Sequence, residues 1–306
     1  MFSYYGDYVK TLLLFIQCLI VLFAFSNSYG QAQSVQNPIH DRAATVLGQH
    51  AIFEDVSLWY LDTKVNSDRD VLVLLHSNSG TSELWTPQIK AFSQAGYRVI
   101  AFDRKGWGKS QALSPKDNGT GSIANDLDRL MTYLNIKRFH LLGIAGGGFA
   151  ALDYASDHGQ NLKSLIIAAS SAKLSDEPMK QMADRIEIPG IRKIPTFYRE
   201  LSASFRATNE VGTKAWIAIE ERSAQPGAIE QQLNTPNTLS KISKIQTPTF
   251  VIAGGADLLA PPSMVRLWAS RLPDYKWALM PEAGHALSWE FPEMFNQLVL
   301  DFLKTH

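Results

Sequence analysis

The stretch Phe139-His140-Leu141-Leu142-Gly143-Ile144-Ala145-Gly146-Gly147-Gly148 decides how this chain is read. Phe139 to Leu142 is an apolar run of strand length and Gly148 to Asp157 has helical spacing, so a strand passes through a glycine-rich turn into a helix. In a G-x-S-x-G turn the third residue is forced into a strained backbone, and glycines flank it because side chains would collide there. Gly143-Ile144-Ala145-Gly146-Gly147 has every part of that pattern except the serine. A glycine-rich turn can also cradle a phosphate. Against this, Ala145 stands where the dinucleotide fingerprint needs its second glycine, and the turn follows a late strand of the sheet, whereas dinucleotide folds use the first.

Outward from the turn, strand and helix signals alternate. Upstream lie extended runs at Ala51 to Phe53 and Val56 to Leu61, then Val71 to His76, a helical stretch from Glu83 to Ala95, a strand at Tyr97 to Phe102 and a helix from Ile123 to Leu134. Downstream, Ser164 to Ala169 is the next strand. From Ser175 to Ser243 the strand signal disappears, and helix-friendly segments are separated by Pro189, Pro195, Pro226 and Pro236; this reads as an inserted helical lid. Alternation resumes with a strand at Thr247 to Ala253, a helix from Pro262 to Leu272, a strand at Trp277 to Met280 and a closing helix from Pro292 to Lys304. Parallel neighbours need crossover connections, so the pattern implies an α/β fold with a mostly parallel sheet and helices on both faces.

Two further residues follow predicted strands. Asp257 comes after Val251-Ile252-Ala253-Gly254-Gly255-Ala256, and His285 after Pro281-Glu282-Ala283-Gly284. Alone, the aspartate reads as a turn or cap and the histidine as a loop residue. With the Ala145 turn they make three loops at the carboxyl edge of one sheet, where such sheets gather functional groups, in the order nucleophile, acid, histidine. In this the chain resembles the lid-bearing branch of the α/β-hydrolase superfamily over residues 50 to 306. The resemblance implies an eight-stranded type of sheet in a core of residues 31–174 and 244–306, with the lid at 175–243. It also implies that His76-Ser77-Asn78-Ser79-Gly80 is the oxyanion loop, with Ser77 in place of the usual glycine, and that the backbone N–H groups of Asn78 and Gly146 are the oxyanion donors. Asp103-Arg104-Lys105-Gly106-Trp107-Gly108-Lys109-Ser110 is similar to the family's D-x-x-G-x-G-x-S turn, read here as structural. Trp85, Trp107 and Trp289 are read as core before pocket.

Alanine has no atom that can attack a substrate, so no acyl-enzyme forms at residue 145. Three readings stay open. The first is an enzyme in which His285, oriented by Asp257, is general base on water or on a substrate proton, giving hydrolysis or a related lyase-type reaction. The second is a serine hydrolase whose nucleophile has been replaced by alanine, and the third a ligand-binding pseudoenzyme. Ile188, Ile191, Phe197, Phe205 and Trp216 in the lid point to a small, largely apolar organic substrate, or else pack the lid on the core.

Bulk properties bound the rest. The chain has 306 residues, 29 basic and 29 acidic, and is 45% hydrophobic, long enough for one large domain with an insertion and without the basic field that nucleic acid needs. Residues 1–30 read as a signal peptide: Lys10, then the apolar run Thr11 to Phe25, short of the roughly 20 residues that cross a bilayer. The expected location is periplasmic or secreted, with a membrane contact only if that run is kept as an anchor. Cys18, the one cysteine, falls within it. His40, His50, His140, His158 and His306 show no metal-ligand spacing, and no metal, nucleotide or flavin is expected, so the protein is expected to need no cofactor.

Overall fold

The computed structural model describes residues 46–64 and 69–306; the run read as a signal peptide or anchor lies outside them. Strands β1 (Leu47–Ile52) and β2 (Val56–Asp62) pair antiparallel. β3 (Val71–Leu75) is followed by helix α1 (Thr86–Gln94) and β4 (Arg98–Phe102). β5 (Gln111–Ala112), helix α2 (Ile123–Tyr133), β6 (Phe139–Ile144), helix α3 (Gly146–His158) and β7 (Leu162–Ala168) come next. Between β7 and β8 (Thr249–Gly254) the chain forms α4 (Glu177–Ile186), α5 (Thr196–Glu200), α6 (Ala203–Thr208), α7 (Glu210–Glu220) and α8 (Leu239–Ile242). It closes with α9 (Pro262–Ala269), β9 (Tyr275–Met280), α10 (Leu287–Glu290) and α11 (Pro292–Leu303).

The strands lie in the order β1-β2-β4-β3-β6-β7-β8-β9, with the two-residue β5 beside β2. From β4 to β9 every pairing is parallel. The alternating pattern therefore gives the mostly parallel sheet it implied, and its eight-strand path gains the short β5. The unbroken aliphatic runs follow from burial on both faces. Val71, Val73 and Leu75 of β3 face one core with Ile100 and Phe102 of β4, while Leu72 and Leu74 face the other with Val99 and Ala101.

Local chemistry sets the boundaries. The helix expected from Glu83 starts as a 3-10 turn over Ser82–Trp85, and α1 begins only at Thr86, because Pro87 lacks the N–H and has the fixed φ suited to a first helical turn. Thr81 accepts the N–H of Glu83 and caps the turn. Helix α3 starts at Gly146, before the Gly148 its spacing indicated, since packing on β3 overrides the poor helix propensity of glycine.

The helical segment between β7 and β8 is tied to the core at many points, among them the Lys241–Asp153 ion pair. Isolated bridges join Leu174 to Asn237 and Trp107 to Ala224, and the Ala286 N–H donates to the Glu200 carbonyl at 3.1 Å. Leu201, Phe205, Trp216 and Ala286 make a small separate core, against which Phe197 and Trp289 pack. Of the apolar residues read as pocket or packing, then, Phe197 and Phe205 are packing, Trp216 packs here and also borders a small second cavity, and Ile188 and Ile191 line the larger cavity below.

Candidate active site

The turn after β6 holds Ala145 at φ 51° and ψ −115°, a backbone state L-residues rarely adopt, kept only where the surroundings over-determine it. Here they do. The Ala145 N–H donates to the Ala168 carbonyl at 2.9 Å, and its carbonyl accepts the Gly148 N–H at 3.0 Å and the Ser170 hydroxyl at 2.9 Å. Gly147 allows the close approach to β3: a Cβ on it would lie 2.3 Å from the Leu75 carbonyl oxygen. Gly146 lies against Asn78, whose Oδ1 would be 1.9 Å from a Cβ on that glycine. As first residue of α3, Gly146 has no intrahelical acceptor for its N–H, and the helix dipole puts positive potential there.

The loop after β3 is fixed by groups from the turn after β4. His76 Nδ1 donates to the Ser77 carbonyl at 2.7 Å, and Nε2 accepts the Arg104 N–H at 3.1 Å. This ring is neutral: burial, with Arg104 adding to it, pushes its pKa down to about 3. Asn78 Oδ1 accepts Arg104 Nη1 at 2.6 Å, and the Asn78 carbonyl accepts Trp107 Nε1 at 2.8 Å. The Arg104 guanidinium stacks 3.7 Å from the Trp107 ring, and burial pushes its pKa down to about 10, so it stays charged at neutral pH. The turn read as structural thus holds the Asn78 backbone in position.

Asp257 follows β8 and His285 follows β9. His285 Nδ1 donates to both Asp257 oxygens, at 2.8 Å to Oδ2 and 3.0 Å to Oδ1. Oδ1 also accepts the N–H groups of Leu259 at 2.8 Å and Ala260 at 2.9 Å, so the carboxylate is fixed by backbone donors. The imidazole side chain keeps 12% exposure, which leaves Nε2 available to the cavity the ring lines. Burial alone would depress the His285 pKa, but the carboxylates of Asp257, Glu200 and Glu290 outweigh it and push it up to about 9.

Asn78, Ala145, Gly146 and His285 all line one cavity of about 490 Å³. The structure thus sets four of the five residues singled out in the sequence on a common wall, and holds the fifth, Asp257, behind the imidazole. Ile188, Ile191 and Met264 add apolar lining, with Lys173, Arg199 and Glu230 among the polar groups. Sequence reasoning missed Glu200, a buried carboxyl on the same wall. It ends a five-residue helix, too short for a periodicity that would mark an inward face. Sequence reasoning read Arg104 only as part of a structural turn, although this cation stands two residues past a strand, at the sheet edge where Asp257 and His285 gather.

The arrangement sets an oriented imidazole and the inert Ala145 methyl group on one cavity with the backbones of Asn78 and Gly146, whose N–H groups have no acceptor among the described residues. A family profile described as alpha/beta hydrolase fold matches residues 70–210. A RutD protein of Yersinia enterocolitica, named as a carbamate hydrolase, is 28% identical over 257 residues, which is 80% of this chain and 92% of that protein. A 2-hydroxy-6-oxononadienedioate/2-hydroxy-6-oxononatrienedioate hydrolase of Paraburkholderia phymatum is 25% identical over 265 residues, 81% of this chain and 91% of its own. Among solved structures, a hydrolase from Pseudomonas aeruginosa PA01 shares the fold with a TM-score of 0.70 at 22% identity, covering 85% of this chain and 99% of that one.

Proposed function

The chain belongs to the α/β-hydrolase superfamily, and from that premise we propose that it is a cofactor-free hydrolase that attacks its substrate with water directly, without a covalent intermediate. The observation that carries this reading is the His285–Asp257 pair, held at 2.8 Å beside a cavity whose nucleophile position is Ala145. A carbonyl carbon seated over the Ala145 methyl group would present its oxygen to the Asn78 and Gly146 N–H groups. Water then bonds to that carbon while His285 Nε2 takes its proton, and Asp257 stabilises the imidazolium. The tetrahedral oxyanion is held by the two amides and by the positive end of α3. Its collapse breaks the bond to the leaving group, which takes up a proton.

The helical segment over the site acts as a lid in this reading. The substrate is a small organic molecule with an apolar body against Ile188 and Ile191 and a hydrolysable carbonyl, the class to which carbamates and the oxo-dienedioates of the named relatives belong.

The test compares the protein with its His285→Ala variant on a metabolite mixture in water enriched in oxygen-18. The wild type should release an acid carrying one label per turnover, and the variant should lose about 10³-fold or more of that rate. Product release that survives in the variant, or depletion of a metabolite by binding alone in both proteins, would count against direct hydrolysis.

A further inference from the structure

Hydrolysis by His285 alone leaves one buried carboxyl idle. Glu200 is 8% exposed and has no salt bridge among the described residues. Its carbonyl is bonded to the Ala286 N–H, which keeps it beside the His285 loop, and its Oε2 accepts the Ser79 hydroxyl at 2.5 Å. The Ser77 and Ser79 hydroxyls are 3.1 Å apart, so a chain of hydroxyls runs from the oxyanion loop to this carboxyl.

Glu200 and His285 line a second cavity as well, of about 20 Å³, together with Ser77, Trp85, Trp216 and Trp289. That volume suits one water. The indole N–H groups of Trp85 and Trp216, both buried, have no protein acceptor among the described residues. The residues around it thus carry two unpartnered donors, a carboxyl and an imidazole, matching the two to four partners a buried water takes.

We infer that Glu200 is a second acid–base group of this site, sharing one proton with His285 across the small cavity and delivering it to the leaving group of the substrate. This rests on direct hydrolysis by water as proposed above. Asp257, Glu200 and Glu290 face the imidazole; His285, Arg199, Glu220 and the Ser79 hydroxyl face the Glu200 carboxyl. Burial raises the Glu200 pKa by more than Ser79 and the two cations lower it, and the imidazole holds its own proton up to about 9. Such a pair titrates as a unit. With one proton between them, the form with neutral imidazole and protonated carboxyl has base and acid ready together. Water gives a proton to Nε2 as its oxygen bonds to the carbonyl carbon. The bond to the leaving group breaks as that group takes the Glu200 proton, and the imidazolium returns its proton to the Glu200 carboxylate through the cavity. Ester and water become acid and alcohol, and the pair is reset.

Glu200→Gln removes the charge and the transferable proton while keeping the shape. An NMR titration of the His285 imidazole should show its pKa fall by one unit or more in this variant; an unchanged titration overturns the inference whether or not a substrate is known. Kinetics supply a second readout, because a general acid matters most for a poor leaving group. Glu200→Gln should lose about 100-fold on ethyl acetate and less than about 5-fold on 4-nitrophenyl acetate, and the fall in rate above pH 9 should vanish, since it reports loss of the last shared proton. Equal losses on the two esters would overturn the acid role. Should Glu200→Gln fail to fold, Glu200→Asp keeps the charge but withdraws the carboxyl: the titration should stay raised and the ethyl acetate defect remain, and full activity would overturn the inference. Turnover that survives His285→Ala would instead remove the reading of direct hydrolysis, a separate outcome.

Discussion

Ala145 shows what one residue decides and what it leaves untouched. Its methyl group ends any acyl-enzyme route, yet its backbone keeps the strained φ of 51° with three hydrogen bonds around it. Ala145→Ser should therefore place a hydroxyl on the cavity wall that His285 lines. We expect 4-nitrophenyl acetate hydrolysis to rise by about 10³-fold or more, with covalent labelling by a fluorophosphonate probe; a variant that takes no label would show that the bend does not aim its apex at the imidazole. At this scale the sequence was legible where a motif fixes spacing. Gly143 to Gly147, Asp257 and His285 could be read because each follows a strand and the three stand in a known order. Glu200 could not, because its place depends on how α5 meets the Ala286 amide across 86 positions of chain. Nor could the raised His285 pKa, which needs Glu290 and Glu200 beside the ring.

Among elements, the contact between α3 and β3 matters most, because it sets the apex of the turn against the loop after β3. Gly147→Ala would put a methyl group 2.3 Å from the Leu75 carbonyl oxygen and 2.7 Å from that of His76. Backbone on both sides cannot rotate away, so α3 must shift. The expected loss is about 3 kcal/mol, read as a drop of roughly 6 to 12 °C in Tm; an unchanged Tm would mean that α3 is free to move off the sheet. Strands and helices of the core were legible from periodicity, since burial on both faces writes unbroken aliphatic runs such as Val71 to Leu75. Their ends were less so: Pro87 delays α1, and packing starts α3 early at Gly146. In the segment from α4 to α8, helices of four to eleven residues carry little period of their own, and tertiary contacts, such as those of Phe205 and Trp216 with Ala286 and of Ile242 with the main core, show which side faces inward.

The whole molecule carries no net formal charge, so its pH response rests on a few buried groups. His76 and His140 stay neutral in the folded state down to about 3 and about 4, chiefly through burial, while their unfolded rings take a proton near 6.5. The unfolded state therefore binds more protons as pH falls below 6.5, and stability drops, at up to about 1.4 kcal/mol per unit for each ring. His285 works the other way. Its folded pKa is about 9, so its contribution is complete below 6.5 and is lost as pH rises through about 9. Urea midpoints should fall on both sides of a maximum near neutrality, and a midpoint that held steady from pH 7 to pH 4 would contradict the burial of these two rings. The ties of the helical segment to the core, those at Asn237, Ala224, Glu200 and Lys241 among them, bear on traffic as well as on stability. A roof nailed down along those edges has one free eave, the stretch from α4 to Arg192, where Ala183, Ile186 and Ile188 border the void and Met179 alone anchors the helix inward. If the segment serves as the proposed lid, substrates and products would pass beneath that eave, and its width, more than the chemistry on the floor, would set the largest molecule the house can receive.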